Sequence, residues 1–218
     1  MNSSEKKMLI LLGGMWHDFE GFTAAMRLAF KGDFRVTATY DLEELTRLDE
    51  IKPDIVLSYT GLSLHREGHD DQGPEALTID QIHSLASWVR SGGKLLGVHC
   101  ATVAGASHRS FRDLFSGVFI SHPAPFYFTV FPLTCQHPIT NGIEAFNVLD
   151  EFYIQDIDPT VDIHMVAVDR MQAYPMVWSK TEGLGRMAYI AMGHYPDIWT
   201  TPAYRQLLRN TAAWLLSP

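Results

Sequence analysis

Two hydrophobic patterns alternate along the first hundred or so residues, and few folds accommodate both. Short apolar runs typical of buried strands are separated by longer segments in which apolar side chains recur every three or four residues, as they do in helices. These patterns predict strands at residues 8–12, 35–40, 54–59 and 94–98, and helices at residues 19–30 and 78–90. Such alternation favours a mostly parallel sheet with helices on both faces.

The helix at residues 78–90 is the best-marked element. Thr78 can cap its N-terminus, and Gln81, three residues further on, completes the capping-box pattern. Gly92 and Gly93 follow and end the helix. Its apolar residues form one stripe, which contains Ile82, Leu85, Ala86 and Val89. This stripe predicts that one face of the helix is buried.

The second half of the chain is richer in strand-like segments. Strands are predicted at residues 126–131, 151–154, 163–168, 174–179 and 186–192. Residues 182–185 (EGLG) are typical of a hairpin turn between the last two. A closing helix is predicted from Thr201-Pro202, where a cap is followed by proline at the first helical position. Its apolar stripe consists of Tyr204, Leu207, Leu208, Thr211, Ala212 and Leu215. With no repeat or linker, we expect one α/β domain over residues 1–218, with a β-rich second half.

Charge and composition argue against several classes of partner. The 218 residues include 17 Lys and Arg against 25 Asp and Glu, a net charge of −8, which disfavours nucleic acids and anionic membranes. No stretch approaches the roughly 18 apolar residues of a membrane span, and the run at residues 8–12 is too short for a secretion signal. Cys100 and Cys135 form neither a CxxC pair nor a disulfide framework. We therefore expect a cytoplasmic protein, and a homodimer is compatible with this prediction.

Two motif-like segments lack the context that their chemistry requires. His65 and His69 are spaced like a helical zinc pair, but Arg66 stands where the metalloprotease pattern has glutamate. The surrounding glycines favour a solvated loop over residues 61–75, which is long enough to serve as a lid. Residues 183–188 match GxGxxA but lie between two predicted strands, so they do not predict a nucleotide site.

Histidines follow three of the predicted parallel strands directly. His17 follows the first strand, His99 the fourth and His194 the last. Ligands of an open parallel sheet bind outside the carboxyl ends of its strands. Glu151 begins the strand-like segment at residues 151–154 and can reach the same edge. We therefore expect these four side chains to share a pocket.

Other residues near this edge are candidates for contact with substrate. Tyr59 and Thr60 end the third strand, and Trp16 and Tyr153 lie next to the predicted site residues. The aromatic rings of Trp16, Tyr59, Tyr153 and Trp199 offer stacking faces for a sugar, although such rings more often belong to the core.

Three further residues have simpler interpretations. His122 and His137 each precede proline, which restricts them to extended conformations. Rigid turns are therefore a better prediction for both than a role as ligands. Cys100 lies beside the turn after the fourth strand, but the sequence indicates no base that would activate its thiol.

Several segments in this order resemble the ThuA-like, or trehalose-utilisation, family. They are residues 97–101 (GVHCA), 137–139 (HPI) with Gly142, 150–153 (DEFY), and Gly185-Arg186 followed by Gly193-His194. The likeness extends from the first strand to the final helix with its Trp214. It implies a class I glutamine amidotransferase-like fold, which is a flavodoxin-like three-layer α/β sandwich.

The resemblance also argues against glutamine hydrolysis. Amidotransferases of this fold carry their nucleophilic cysteine at the centre of a Gly-x-Cys-x-Gly elbow after the central strand. Here His99 occupies that position and Cys100 comes one residue later, where its side chain points in a different direction. His194 falls where that branch keeps its triad histidine. The chain is therefore not expected to be a functional glutamine amidotransferase.

Two chemistries fit the remaining pocket. Imidazoles are good general acids and bases, so His99, His194 and Glu151 are candidate catalytic residues, with His17 as a substrate contact. Alternatively, His17, His99 and His194 can hold a divalent metal such as Zn²⁺ or Mn²⁺ and leave one position open for substrate.

The family implies a role in sugar catabolism. ThuA-like proteins are similar to partners of dehydrogenases that oxidise disaccharides such as trehalose at the 3-position. A ketone there acidifies the neighbouring C–H, so that a base can remove the proton and the glycosidic oxygen can leave. Two alternatives stay open: a metal-dependent hydrolase of another small polar substrate, and a non-catalytic sugar-binding or regulatory module on a degenerate amidotransferase fold.

Overall fold

The structure is a computed structural model that describes residues 5–62, 76–106, 109–134 and 136–218. Its strands are β1 (Lys6–Gly13), β2 (Phe34–Thr39), β3 (Ile55–Thr60), β4 (Lys94–Val98), β5 (Gly117–Ser121), β6 (Phe126–Pro132), β7 (Phe146–Asp150), β8 (Ile154–Ile157), β9 (Asp162–Asp169), β10 (Gln172–Glu182) and β11 (Gly185–Ile190). Its helices are α1 (Phe19–Ala29), α2 (Leu48–Ile51), α3 (Ile79–Arg90), α4 (Arg109–Phe115), α5 (Pro196–Thr200) and α6 (Pro202–Leu216). Short 3₁₀ helices occupy Leu42–Arg47, His99–Ala106 and Pro138–Thr140.

In the described part of the chain, nine strands form one mixed sheet in the order β2-β1-β3-β4-β11-β10-β9-β6-β7. The strands from β2 to β11 are parallel to their neighbours. From β11 onward the pairing is antiparallel, and β5 and β8 form a separate two-stranded sheet. The predicted α/β class and its β-rich second half are confirmed.

Helices cover the sheet in two groups. Helices α1, α5 and α6 contact one another, and α3 contacts α4. The buried residues of α6 are the six of the predicted stripe, and α3 begins with the predicted capping box of Thr78 and Gln81. The hairpin predicted at residues 182–185 is confirmed as the connection between β10 and β11. None of the described helices is both long and apolar enough to cross a membrane.

The strand predicted at residues 151–154 is wrong. Strand β7 ends at Asp150 and β8 begins at Ile154, with irregular backbone between them. Asp150, Phe152 and Tyr153 are all buried, a pattern that the alternating faces of a strand do not allow. Aromatic residues raise the β-propensity of this segment, but its burial requires the chain to leave the sheet, which places Glu151 at the sheet's edge.

Two strands and a helix escaped the sequence analysis. Strands β5 and β7 and helix α4 are short, and their hydrophobic patterns are weak. The predicted loop at residues 61–75 lies outside the described residues, except for Gly61 and Leu62, so nothing tests a role as a lid. His65, His69 and Cys135 also lie outside the described residues.

A buried histidine on β9 makes the fold sensitive to acid. His164 is 3% exposed, its ring stacks on His137 at 4.0 Å, and its Nε2 lies 2.7 Å from Ser179 Oγ. Burial and the neighbouring His137 lower the pKa of His164 from 6.5 to about 4. The folded protein therefore keeps His164 neutral at a pH where the unfolded chain binds a proton.

We expect the free energy of unfolding to fall as the pH drops from about 6.5 to about 4. Because stability rises with pH wherever the unfolded state binds more protons, His164 alone contributes a loss of about 3 kcal/mol. Urea titrations at several pH values should show a smaller loss for His164→Gln than for the wild type. The exposed His83→Gln variant should match the wild type. Equal pH slopes for His164→Gln and the wild type would contradict this assignment.

Candidate active site

The carboxyl ends of the parallel strands bring three histidines together. His17 follows β1, His99 follows β4 and His194 follows β11. The centroid of the His17 ring lies 4.8 Å from that of His194 and 5.2 Å from that of His99. The His99 and His194 rings are 5.3 Å apart. The structure thus assembles the histidines that the sequence places after these strands.

His99 is held in one orientation by its backbone and by one hydrogen bond. Its φ of +48° lies in the left-handed region, which is costly for a residue with a Cβ and is frequent at active sites. The side chain is fully buried, and Nδ1 lies 2.8 Å from the Ala191 carbonyl oxygen. Because a carbonyl only accepts, Nδ1 carries the proton, and Nε2 presents a lone pair to the other histidines.

His17 follows the same pattern. Its Nδ1 lies 2.6 Å from the Met15 carbonyl oxygen and therefore carries the proton. Its Nε2 is buried and has no hydrogen-bond partner among the described residues. Burial, reinforced by the charges of His99 and His194, lowers the pKa of His17 to about 3. His17 is therefore neutral at pH 7, with an unused lone pair inside the cluster.

Glu151 completes the cluster with one carboxylate oxygen. Its Oε2 lies 3.3 Å from His99 Nε2 and 3.3 Å from His194 Nδ1. Burial alone would raise the pKa of Glu151, but hydrogen bonds with His194 and His99, together with their charges, lower it well below its usual range. Glu151 is therefore ionised at neutral pH.

Asp150 holds the turn that carries His194, a role that the sequence analysis missed. Its buried carboxylate accepts hydrogen bonds from the backbone N–H of Gly193 at 2.7 Å and of His194 at 3.2 Å. Burial raises the pKa of Asp150. The carboxylate thus links the end of β7 to the turn after β11, two segments that are far apart in sequence.

A cavity of about 420 Å³ opens beside the cluster. This volume lies within the roughly 300–1,000 Å³ of small-molecule sites. Its lining comprises Trp16, His17, Gly61, Val103, Phe119, His122, Glu151, Tyr153 and His194. Charged and aromatic side chains therefore face one space, which suits a polar ligand with some apolar surface.

His122 is a second residue of this cavity that the sequence analysis missed. It follows β5, and its Nε2 lies 3.6 Å from Glu151 Oε1. The proline after it suggested only a rigid turn, and β5 itself was not predicted. The one available signal was the residue type, since histidine is the commonest general acid or base.

The proposed substrate contacts fall into two groups. Trp16 and Tyr153 line the cavity, where Trp16 is 70% exposed and the buried Tyr153 ring lies 4.1 Å from the His99 ring. Tyr59 and Thr60 are buried and do not line this cavity. Strand β3 is central and covered on both faces, which explains their burial.

Tyr59 and Trp199 instead support the turn that carries His194. The Tyr59 hydroxyl donates to the Gly193 carbonyl oxygen at 2.9 Å, and the Trp199 indole N–H donates to the same oxygen at 2.8 Å. The Tyr59 ring stacks on Phe22 at 3.7 Å. Both aromatic residues therefore position the site from inside the core.

Cys100 is unsuited to act as a nucleophile. The residue is fully buried, and burial raises the pKa of its thiol well above the usual value. The reactive form of cysteine is the thiolate, which burial in apolar surroundings disfavours. This agrees with the expectation that Cys100 does not replace the amidotransferase nucleophile.

The donor set of the cluster suits a divalent cation. One nitrogen from each of His17, His99 and His194 lies within 4.8 Å of the others. Two nitrogens bound tetrahedrally to zinc at roughly 2.0–2.1 Å lie about 3.3 Å apart, and His99 Nε2 and His194 Nδ1 are 3.3 Å apart. Metal-binding histidines commonly donate their other N–H to a carbonyl, as His17 and His99 do here.

Comparison with known proteins identifies relatives of both sequence and fold. The sequence model of the ThuA family, described as trehalose utilisation, matches residues 7–215. No curated protein matches the sequence. A ThuA-like protein from Bacteroides uniformis is similar in structure, with a TM-score of 0.73 and 19% identity over 100% of this chain and 94% of that one.

Two further solved structures share the fold. A ThuA-like protein from Parabacteroides merdae has a TM-score of 0.76 and 16% identity, covering 98% of this chain and 91% of that one. A β-galactosidase from Bacillus circulans sp. alkalophilus has a TM-score of 0.67 and 11% identity, covering 97% of this chain but only 31% of that one. At these identities, the likenesses show the fold alone.

Proposed function

This chain belongs to the ThuA family, described as trehalose utilisation, and from that premise we propose that it is a metal-dependent enzyme acting on oxidised glycosides. His17, His99 and His194 would hold one divalent metal, and Glu151 would serve as a base. The observation that carries the proposal is the convergence of neutral imidazole nitrogens, with no hydrogen-bond donor among them to satisfy their lone pairs.

The electrostatics of the cluster support a cation at its centre. The lone pair of His99 Nε2 faces Glu151 Oε2 at 3.3 Å, and two acceptors at that distance repel unless a proton or a metal lies between them. The buried Nε2 of His17 has no partner within the described chain either. A metal would satisfy all of these lone pairs, and three imidazoles with an open position are typical of catalytic zinc sites.

The exposures of the side chains suggest which of them can reach a substrate. His99 has a side-chain exposure of 0%, whereas His194 and Glu151 each have 14%. His99 therefore suits a ligand better than a base that must reach a sugar. We assign Glu151 the base, because a fourth protein ligand would close the position that a substrate needs.

An oxidised sugar matches these groups. In a 3-keto-glycoside, the ketone acidifies the hydrogen at C2, and a carboxylate can remove it. When bound, a divalent metal supplies polarisation of a carbonyl oxygen. The depressed pKa of Glu151 keeps the carboxylate ready to accept a proton, and Trp16 at the cavity's edge offers a face for a sugar ring.

The test combines metal analysis with a substrate assay on untagged protein, because a polyhistidine tag binds metals itself. Elemental analysis is expected to find about one divalent metal per chain. The protein should consume 3-keto-trehalose and related 3-keto-glucosides, lose this activity on chelation and regain it with zinc or manganese. Unoxidised trehalose is the control and should remain unchanged.

The outcomes separate the alternatives. Turnover of keto-glycosides without metal would replace the metal by imidazole acid–base chemistry. A metal-containing protein that leaves every keto-glycoside unchanged would point to another small polar substrate. Absence of both metal and turnover would contradict the proposal and leave a binding or regulatory module.

A further inference from the structure

We infer that His122 is the general acid of this site and forms a proton-exchange pair with Glu151. The inference rests on the proposed function, because it concerns the departure of the glycosidic oxygen from an oxidised glycoside. Two features carry it: the placement of His122 Nε2 at 3.6 Å from Glu151 Oε1 and its position in the wall of the cavity.

The two carboxylate oxygens of Glu151 face different partners. Oε2 faces the histidine cluster, at 3.3 Å from both His99 Nε2 and His194 Nδ1. Oε1 faces His122 instead. His122 is not part of the three-histidine group. Glu151 therefore separates a ligand cluster from a fourth imidazole on its other oxygen.

The His122 ring is oriented so that Nε2 is the nitrogen that exchanges protons. Its Nδ1 lies 2.9 Å from the Pro123 carbonyl oxygen, so Nδ1 carries a proton and donates it there. The ring lies nearly parallel to that of Tyr153, at 23° and 5.9 Å. Nε2 is thereby directed toward the carboxylate and the cavity.

His122 is also the most accessible of these titratable groups. Its side chain is 33% exposed, compared with 14% for Glu151 and for His194. It can therefore meet a leaving group that extends toward the cavity mouth. The exposed Trp16 belongs to the same cavity wall.

A proton balance assigns each residue one task. Glu151 takes the hydrogen from C2, and the electron pair of that C–H bond becomes an enolate with the C3 carbonyl. The carbonyl re-forms, a double bond forms between C1 and C2, and the C1–O bond breaks, with its electron pair leaving on the glycosidic oxygen. His122 donates its Nε2 proton to that oxygen. The products are an unsaturated keto-sugar and an alcohol.

The same geometry returns the pair to its starting state. After the reaction Glu151 holds a proton and His122 has lost one. The 3.6 Å between Oε1 and Nε2 allows this proton to pass from the carboxyl group to the imidazole directly or through one water. No additional base is required between turnovers.

The test separates proton removal at C2 from departure of the alcohol. Two 3-keto-glucosides are compared, one with a sugar alcohol and one with 4-nitrophenol as the leaving group. Exchange of the C2 hydrogen in D₂O is followed by NMR, and release of the leaving group is followed in parallel. The proteins are the wild type, His122→Gln, Glu151→Gln and, as a matched control on helix α3, His83→Gln.

His122→Gln is expected to release the sugar alcohol about 10²–10⁴-fold more slowly, the usual contribution of a general acid. Release of 4-nitrophenol should change by less than about tenfold, because that leaving group needs little protonation. His122→Gln should keep its metal and still exchange the C2 hydrogen. Glu151→Gln should lose exchange and release together, and His83→Gln should match the wild type.

Other outcomes overturn one or both proposals. Equal slowing of both leaving groups, loss of C2 exchange or loss of the metal in His122→Gln would refute the general-acid role while leaving the proposed function intact. A wild-type protein inactive on every keto-glycoside would refute the proposed function, and the role of His122 with it.

Discussion

Replacing His99 by glutamine is expected to abolish stoichiometric binding of a divalent metal. His99 presents Nε2 from a left-handed backbone position, and its ring is held by the hydrogen bond to Ala191. A glutamine side chain has no equivalent nitrogen at that point. Loss of an outer partner of a ligand already costs about 10–100-fold in affinity, so loss of the ligand should cost more than 100-fold.

Titration of untagged apoprotein with zinc alone, by calorimetry, measures this effect. The wild type should bind one zinc per chain, and His99→Gln should show no saturable site in the same concentration range. His83→Gln and His122→Gln should both keep the wild-type affinity, because neither residue belongs to the three-histidine group. Unchanged zinc affinity in a folded His99→Gln protein would show that the cluster holds protons rather than a metal.

Replacing Asp150 by alanine should produce the largest loss of stability among the substitutions considered. The change leaves the N–H groups of Gly193 and His194 without their buried acceptor. Each unsatisfied buried donor costs about 1–3 kcal/mol, and relief from burying the carboxylate offsets part of that cost. We expect a net loss of about 2–4 kcal/mol, which corresponds to roughly 5–15 °C in Tm for a chain of this size.

The same variant should also weaken zinc binding, because Asp150 positions the backbone that carries His194. Thermal unfolding followed by circular dichroism, together with zinc titration at 20 °C, measures both effects. Asp49→Ala removes an exposed carboxylate on α2 and should alter stability by less than about 0.5 kcal/mol. A Tm within about 2 °C of the wild type and an unchanged zinc affinity would exclude a positioning role for Asp150.

The parallel half of the fold could be predicted well from sequence because its signals are local. Each strand from β1 to β4 is a short apolar run, and the helices between them carry their own caps and stripes. Parallel strands run in one direction, so the residue after each strand falls at the same edge. This is why His17, His99 and His194 could be grouped before their distances were known.

Residues taken from the ends of the same strands did not all reach the cavity. Tyr59 and Thr60 end β3 as expected, but both are buried. Position in sequence indicates the edge of the sheet at which a residue lies. The direction of its side chain depends on which faces of the strand are covered, and that is set by helices far along the chain.

The antiparallel half was harder because its contacts are not local. Asp150 and Glu151 follow β7, and His122 follows β5, two strands whose hydrophobic patterns did not reveal them. Strand β6 pairs with both β7 and β9, and β5 pairs with β8 in a separate sheet. Nothing in the short segments themselves indicates these pairings.

The sequence by itself determined the α/β architecture, the helix faces and the three histidines at one edge, because periodicity and strand direction are properties of neighbouring residues. Only the tertiary structure decided that Asp150 holds the His194 turn, that His17 Nε2 has no partner within the described chain, and that His122 meets Glu151. These relations join residues tens of positions apart, and they depend on strand pairing and burial that no local pattern encodes.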